Sequence, residues 1–226
     1  MSSLEPVRQK IIWAEHHQKS LVEEIERYFD GKPCDLMPEN DSEGHLRYRV
    51  RYDNPIPPSI PLMIGDCVQN LRAALDYLVW ELVLVNRARP SSKNQFPICD
   101  DKKGFAKQKP RGRLNGVSEG VAEEIEKLQP YNDGAQTNPL RRIDYLSVCN
   151  RHRRLLVVVL NPHAARQDPM IRANLSAGGK MQAEGNALFH LAMDEGTEEK
   201  IEVRMELRGL LSYVTDFVIP RFEKFF

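Results

Sequence analysis

The sequence lacks the features that identify several common protein classes. No apolar run approaches the roughly 18 residues that a membrane helix needs, and the N-terminal residues contain no apolar stretch typical of a signal peptide. The four cysteines form no Cys-x-x-Cys pair, so neither a zinc ribbon nor a disulfide framework is indicated. The sequence therefore predicts a cytoplasmic protein without a membrane segment, a metal site or a cofactor.

The sequence also has no excess of charge of either sign. Lys+Arg and Asp+Glu number 32 each among 226 residues, and 41% of the residues are hydrophobic. The zero net charge excludes a protein that is basic over its whole surface, so any anion site must come from local clustering. The length fits one large domain or two small ones, and we expect a single domain over residues 1–226.

Hydrophobic periodicity predicts the fold class. Apolar residues three and four positions apart indicate helices, and strict alternation indicates strands. The predicted helices cover residues 4–30, 60–88, 117–129, 139–154 and 209–225, and the predicted strands lie in 46–52 and 155–207. Together they predict an α+β fold with a core of four or five helices and an antiparallel sheet of about four or five strands.

The predicted helix at 60–88 has two different faces. One half carries only apolar residues, whereas the other carries Tyr77 and Trp80 among short polar side chains. A face that meets only water rarely combines a Trp and a Tyr in this way. We therefore expect this face to contact something, and a homodimer interface through Tyr77 and Trp80 is one interpretation.

The same helix resembles a family of uncharacterised bacterial proteins. It reads IGDCVQNLRAALDYLVWELV over residues 64–83, and the family pattern is close to GD-x-x-HNLRSALDHL-x-W. The resemblance extends to QFPI at 95–98, LQPY at 128–131 and NRHRRL at 150–155, where the family usually has Asp-Lys-His-Arg. It spans about residues 45–160 and implies no particular activity.

More distantly, this helix is similar to that of the HEPN superfamily, many of whose members are metal-independent ribonucleases. Their motif is an Arg followed after four to six residues by a His, on a helix of a four-helix bundle. RNA cleavage through the 2′-hydroxyl needs a proton acceptor and a cation close together. Arg72 stands at the arginine position, but Tyr77, with an unperturbed pKa of about 10, replaces the histidine.

A second candidate group lies in RRIDYLSVCNRHRR at 141–154. On a helical wheel His152 falls with Tyr145, Val148 and Cys149, so we expect its ring to face inward or into a cleft. The structural alternative is a partly buried histidine with satisfied hydrogen bonds.

These residues together suggest a catalytic arrangement. If the two helices are neighbours, Arg72 would stabilise a phosphate, His152 would transfer the proton, and Asn70 and Asp76 would orient them. The structural alternative is that Arg72 and Asp76 form an ion pair one helical turn apart.

Three clusters of cations complete the pattern. They are Arg47, Arg49 and Arg51 on one face of the predicted strand, the stretch 102–113, and the arginines of 141–154, including Arg151 and Arg153. Each cluster alone is typical of a solvated face, but converging clusters would bind phosphate groups.

The leading hypothesis is an RNA-binding or phosphate-ligand-binding protein that is a degenerate metal-independent ribonuclease. The alternative is a non-catalytic homodimeric interaction module.

Overall fold

The computed structural model describes residues 2–40, 46–134, 138–152, 158–161, 190–193 and 201–226. Only the backbone is described at 34–40, 46–50, 158–161 and 190–192 and at Tyr52, His152 and Ile201. The helices are α1 (Glu5–Asp30), α2 (Ser59–Val85), α3 (Lys102–Ala106), α4 (Glu119–Lys127), α5 (Pro139–His152), α6 (Val203–Ser212) and α7 (Pro220–Glu223). A 3-10 turn lies at Pro130–Asn132, and a π-helical segment, Tyr213–Val218, joins α6 to α7. The strands are β1 (Cys34–Asn40), β2 (Leu46–Tyr52), β3 (Val158–Asn161), β4 (His190–Met193) and β5 (Ile201–Glu202).

A long antiparallel pair, α1 and α2, forms the centre of the core. The Ser59 hydroxyl donates to Glu24 Oε1 at 2.7 Å near one end of the pair, and the Ser3 N–H donates to Glu81 Oε2 at 3.1 Å near the other. The predicted apolar half of α2 is buried against this neighbour and the rest of the core. Among the helices described, none has the length and apolar character that a membrane crossing requires.

The second neighbour of α2 is α5, which runs antiparallel to it. Gln69 Nε2 donates to the carbonyl of Ser147 at 2.8 Å, and Gly65 lies directly beside Asn150. The helices that contain Arg72 and His152 are therefore neighbours, which the catalytic hypothesis requires but the sequence does not show. The C-terminal helices α6 and α7 contribute further aliphatic and aromatic side chains to the same core.

The prediction of an α+β fold with an antiparallel sheet of four or five strands is wrong. The described part of the chain is mostly helical, and no sheet forms a layer of its core. β1 and β2 pair only with each other, and β3, β4 and β5 form a separate group in which β5 has two residues. Met193 is the one strand residue in the hydrophobic core among those whose side chains are described.

One clear error concerns residues 201–207, which alternate as a strand would. The backbone is helical from Val203, because Val203, Leu207 and Leu210 follow helical spacing and are buried together. Met205, which alternation would place beside Val203, is 74% exposed. Seven residues are too few for periodicity to separate a strand from a helix, and packing decided the outcome.

The α2–α5 contact predicts the effect of a small substitution. A Cβ at Gly65 would overlap the Asn150 carboxamide, so we expect Gly65→Ala to destabilise the protein by about 1 kcal/mol despite the better helix propensity of alanine. Chemical denaturation measures this. Gly209→Ala, which meets nothing within 4 Å, is the control and should stabilise by about 0.5–1 kcal/mol. Stabilisation by both substitutions would contradict the close contact.

Candidate functional site

Arg72 lies at the meeting point of α2, α5 and the segment after α2. Its side chain is 8% exposed. Nη1 donates to Asp76 Oδ1 at 2.7 Å, and Nη2 donates to the carbonyl of Phe96 at 3.0 Å. Nε lies 3.4 Å from Asp144 Oδ1 on α5, an ion pair without a well-directed hydrogen bond. The guanidinium is thus shared among two carboxylates and one backbone carbonyl, an arrangement we call the Arg72 bracket.

Asp76 completes the Arg72 bracket from the other side. Its Oδ1 also accepts from the Phe96 N–H at 2.8 Å, so one Arg–Asp pair holds both backbone polar groups of Phe96. Burial raises the pKa of the Asp76 carboxyl, while Arg72, the Phe96 N–H and the more distant Arg113 act in the opposite direction. The bracket therefore fixes a fully buried phenylalanine and the chain around it.

Gln129 fixes the residues that come after Phe96. Its buried Nε2 donates to the carbonyl of Pro97 at 2.9 Å, and its Oε1 accepts from the Cys99 N–H at 3.0 Å. The segments 70–76, 95–98 and 128–131, which carry the family resemblance in the sequence, therefore meet in one hydrogen-bonded unit. At these positions the residues Arg72, Asp76 and Gln129 hold the chain in place.

Next to the Arg72 bracket, the polar face of α2 lines a cavity of about 460 Å³. Asp76, Tyr77, Trp80 and Glu81 form one wall, and Pro6 of α1 with the loop from 91 to 95 forms the rest. Tyr77 and Trp80 are 44% and 42% exposed. This volume lies in the usual range of about 300–1,000 Å³ for small-molecule pockets.

The loop wall of the cavity is held in place by its own hydrogen bonds. Asn94 Nδ2 donates to the carbonyl of Asn115 at 2.9 Å, and Asn94 Oδ1 accepts from the Ser91 N–H at 2.7 Å. The N–H of Gln95 donates to the carbonyl of Arg113 at 3.2 Å. Because Phe96 comes next in the chain and is held by the Arg72 bracket, the cavity is preformed.

Asn70, the remaining predicted site residue on α2, lies toward α1. Asn70 Nδ2 donates to the carbonyl of Asp66 at 2.9 Å, and its Oδ1 lies 3.5 Å from Lys10 Nζ. That same Nζ lies 5.5 Å from the centre of the Tyr77 ring. Asn70 therefore contacts Lys10 and Asp66, and its role in orienting a catalytic group stays a prediction.

The predicted pairing of Arg72 with His152 also stays a prediction. His152 is the last residue of α5, and its side chain lies outside the described residues. Asp144, which contacts Arg72, precedes it by eight residues, and at 1.5 Å per residue this sets the His152 backbone about 12 Å farther along α5.

The predicted phosphate-binding arginines are only partly described. The side chains of Arg47 and Arg49 and the whole of Arg153 lie outside the described residues. Arg51 Nε donates to Asp53 Oδ1 at 3.0 Å, and Arg151 Nε to the carbonyl of Ser147 at 3.4 Å. Convergence of the three basic clusters therefore stays a prediction.

Sequence reasoning missed Asp144 and Glu81. Asp144 is the one acid among the arginines of 141–154, which could have marked it as the partner of a buried cation. Glu81 was visible on the same polar face of α2 as Trp80, but only the structure places its carboxylate in a cavity wall.

Comparison of the chain with models of protein families, with curated proteins and with solved structures finds no match. The resemblances drawn from the sequence accordingly stay predictions. Any function proposed for the chain therefore rests on the geometry of the site.

The Arg72 bracket predicts a graded loss of stability. Arg72→Ala leaves two carboxylates and a buried carbonyl without their cation, so we expect a loss of about 3 kcal/mol in the free energy of unfolding. Arg72→Lys keeps the charge but cannot reach all three acceptors, and we expect a loss of about 1–2 kcal/mol. Chemical denaturation measures both.

Arg8→Ala is the control for this series, because Arg8 pairs with Glu223 at an exposed site where both side chains are more than half exposed. Such pairs contribute about 0–1 kcal/mol. Equal losses for Arg72→Ala and Arg8→Ala would contradict a structural role for Arg72.

Proposed function

We propose that this protein is a small-molecule-binding module and that its binding site is the cavity beside the Arg72 bracket. The observation that carries the proposal is that the mixed aromatic and polar face of α2 lines a preformed cavity of about 460 Å³. Exposed aromatic rings beside a few polar groups are the usual composition of ligand pockets. Binding of a small molecule therefore accounts for the aromatic and polar side chains of this face without a homodimer interface.

The lining favours binding over catalysis. The nine lining residues within the described part of the chain include no His, Cys or Lys. Ser91 and Ser92 have hydroxyls there, but a serine nucleophile needs an adjacent base such as His to take its proton. Arg72, which the sequence suggests as a phosphate ligand, would have to leave Asp76, Phe96 and Asp144 to reach one.

Retention of metabolites tests the proposal. Wild-type protein is mixed with a protein-free bacterial metabolite extract, and compounds that stay with it through ultrafiltration are identified by mass spectrometry. Ser92→Trp places a large side chain in the cavity, so we expect it to lose a compound that the wild type retains.

Met205→Trp adds the same side chain at a position on α6 that is 74% exposed, and this variant should retain the compound. If the wild type retains nothing that Ser92→Trp lacks, the proposal is wrong.

A second candidate function is RNA binding with ribonuclease activity. Its support is a short segment in which Lys102, Lys103, Lys107 and Arg111 are all exposed and which contains no acid between 102 and 113. Such a surface attracts a phosphate backbone. Homodimer formation through Tyr77 and Trp80 likewise stays a prediction.

Incubation with total RNA in EDTA checks the ribonuclease hypothesis. If His152 transfers the proton, the wild type should cleave RNA and His152→Ala should lose most of that activity, since general acid–base catalysis contributes about 10²–10⁴-fold. Intact RNA after incubation with the wild type would contradict it.

A further inference from the structure

We propose that the cavity beside the Arg72 bracket binds an organic cation, a small molecule with an ammonium or guanidinium group on an apolar frame. This inference rests on the proposed function and names its ligand class. Its basis is the charges in the cavity wall, their protein partners and the aromatic rings beside them.

Glu81 provides the first argument. It is 9% exposed, and Oε2 accepts a hydrogen bond from the Ser3 N–H at 3.1 Å. Its other oxygen, Oε1, has no hydrogen-bond donor among the residues described. Among the described residues Oε1 is not one of the fully buried atoms without a partner, so it keeps contact with solvent beside the cavity. An ammonium group in the cavity would give this oxygen a charge-assisted hydrogen bond.

Asp76 provides the second argument for a cationic ligand. Its Oδ1 is used by Arg72 and by the Phe96 N–H, whereas Oδ2 has no donor within the described part of the chain. Arg72 does not neutralise Asp76 completely, because the same guanidinium also pairs with Asp144. One guanidinium thus serves two carboxylates, Arg113 acts on Asp76 more weakly, and Glu81 has no ion pair among the described residues.

The aromatic residues of the cavity wall, Tyr77 and Trp80, provide the third argument. The faces of aromatic rings attract cations that lie within about 6 Å of the ring centre. Lys10 Nζ already lies over the Tyr77 ring, 5.5 Å from its centre, so a ligand cation would meet the Trp80 ring or the opposite side of Tyr77. Tyr77 and Trp80 also provide apolar surface for the frame of a ligand.

The composition of the cavity disfavours other ligand classes. An anion would meet Asp76 and Glu81, and the lining residues that the structure describes include no Lys, Arg or His to oppose them. A metal ion fits poorly, since no group of three or more His, Cys, Asp or Glu side chains in the described ranges could hold one. A volume of about 460 Å³ is also far larger than a metal ion needs.

A matched pair of probes tests the inference. The probes are 2-phenylethylammonium and 2-phenylethanol, which share a shape and differ in charge. Binding is followed at pH 7 through the fluorescence of Trp80 in a Trp13→Phe background, where Trp80 is the one remaining tryptophan. We expect the ammonium compound to bind at least about tenfold more tightly than the alcohol, which corresponds to about 1.4 kcal/mol.

Glu81→Gln removes the charge and keeps an oxygen that can accept from Ser3. It should weaken binding of the ammonium compound about tenfold and leave binding of the alcohol unchanged. Glu23→Gln, at an exposed glutamate of α1, removes the same charge outside the cavity and should change neither affinity. Thermal unfolding confirms that the variants are folded. If Glu81→Gln does not fold, the affinities of the two probes for the Trp13→Phe protein decide whether the cavity prefers a cation.

Equal affinities for the two probes, or no saturable binding of the ammonium compound, would overturn the cation inference. If both probes bind equally and Ser92→Trp abolishes both, the cavity is a small-molecule site without preference for a cation, and the proposed function stands. If the wild type also retains no metabolite that Ser92→Trp lacks, the proposed function fails as well.

Discussion

A guanidinium that leaves water must find acceptors, and this requirement organises the centre of the molecule. Arg72 is nearly buried and finds acceptors on three separate parts of the chain: Asp76 on its own helix, Asp144 on α5 and the carbonyl of Phe96. Removing either carboxylate leaves the nearly buried guanidinium with one acceptor fewer, which water replaces only in part. Arg72 therefore ties α5 and the chain around Phe96 to the same point of α2.

The cavity depends on the same arrangement. Asp76 belongs to the Arg72 bracket through one carboxylate oxygen and to the cavity through its position in the wall. The loop that closes the cavity leads directly into Phe96 and is held there. Asp76 thus has a structural contact and also a place in the proposed binding site. This explains why the polar face of α2 carries aromatic and charged side chains that a solvent-exposed helix face does not need.

The fold class shows where periodicity is informative and where it is not. The long helices α1, α2 and α5 were predictable because each repeats its apolar spacing over several turns, and only a helix can bury such a stripe. The predicted sheet was wrong because its supporting patterns were a few residues long. In 201–207 Val203 and Leu207 satisfy both periods, and the neighbours Leu210 and Val214 make the helix the better-buried choice.

The sequence by itself determined which face of α2 is apolar, that Arg72 and Asp76 can pair one turn apart, and that Tyr77 and Trp80 share a polar face, since each is set by spacing along one helix. Only the tertiary structure decided what lies opposite that face. The contacts with Phe96 and Asp144 cross 24 and 72 positions of sequence, respectively. Local periodicity contains no information on contacts between residues so far apart in the sequence, because such contacts are set by how helices and loops pack together.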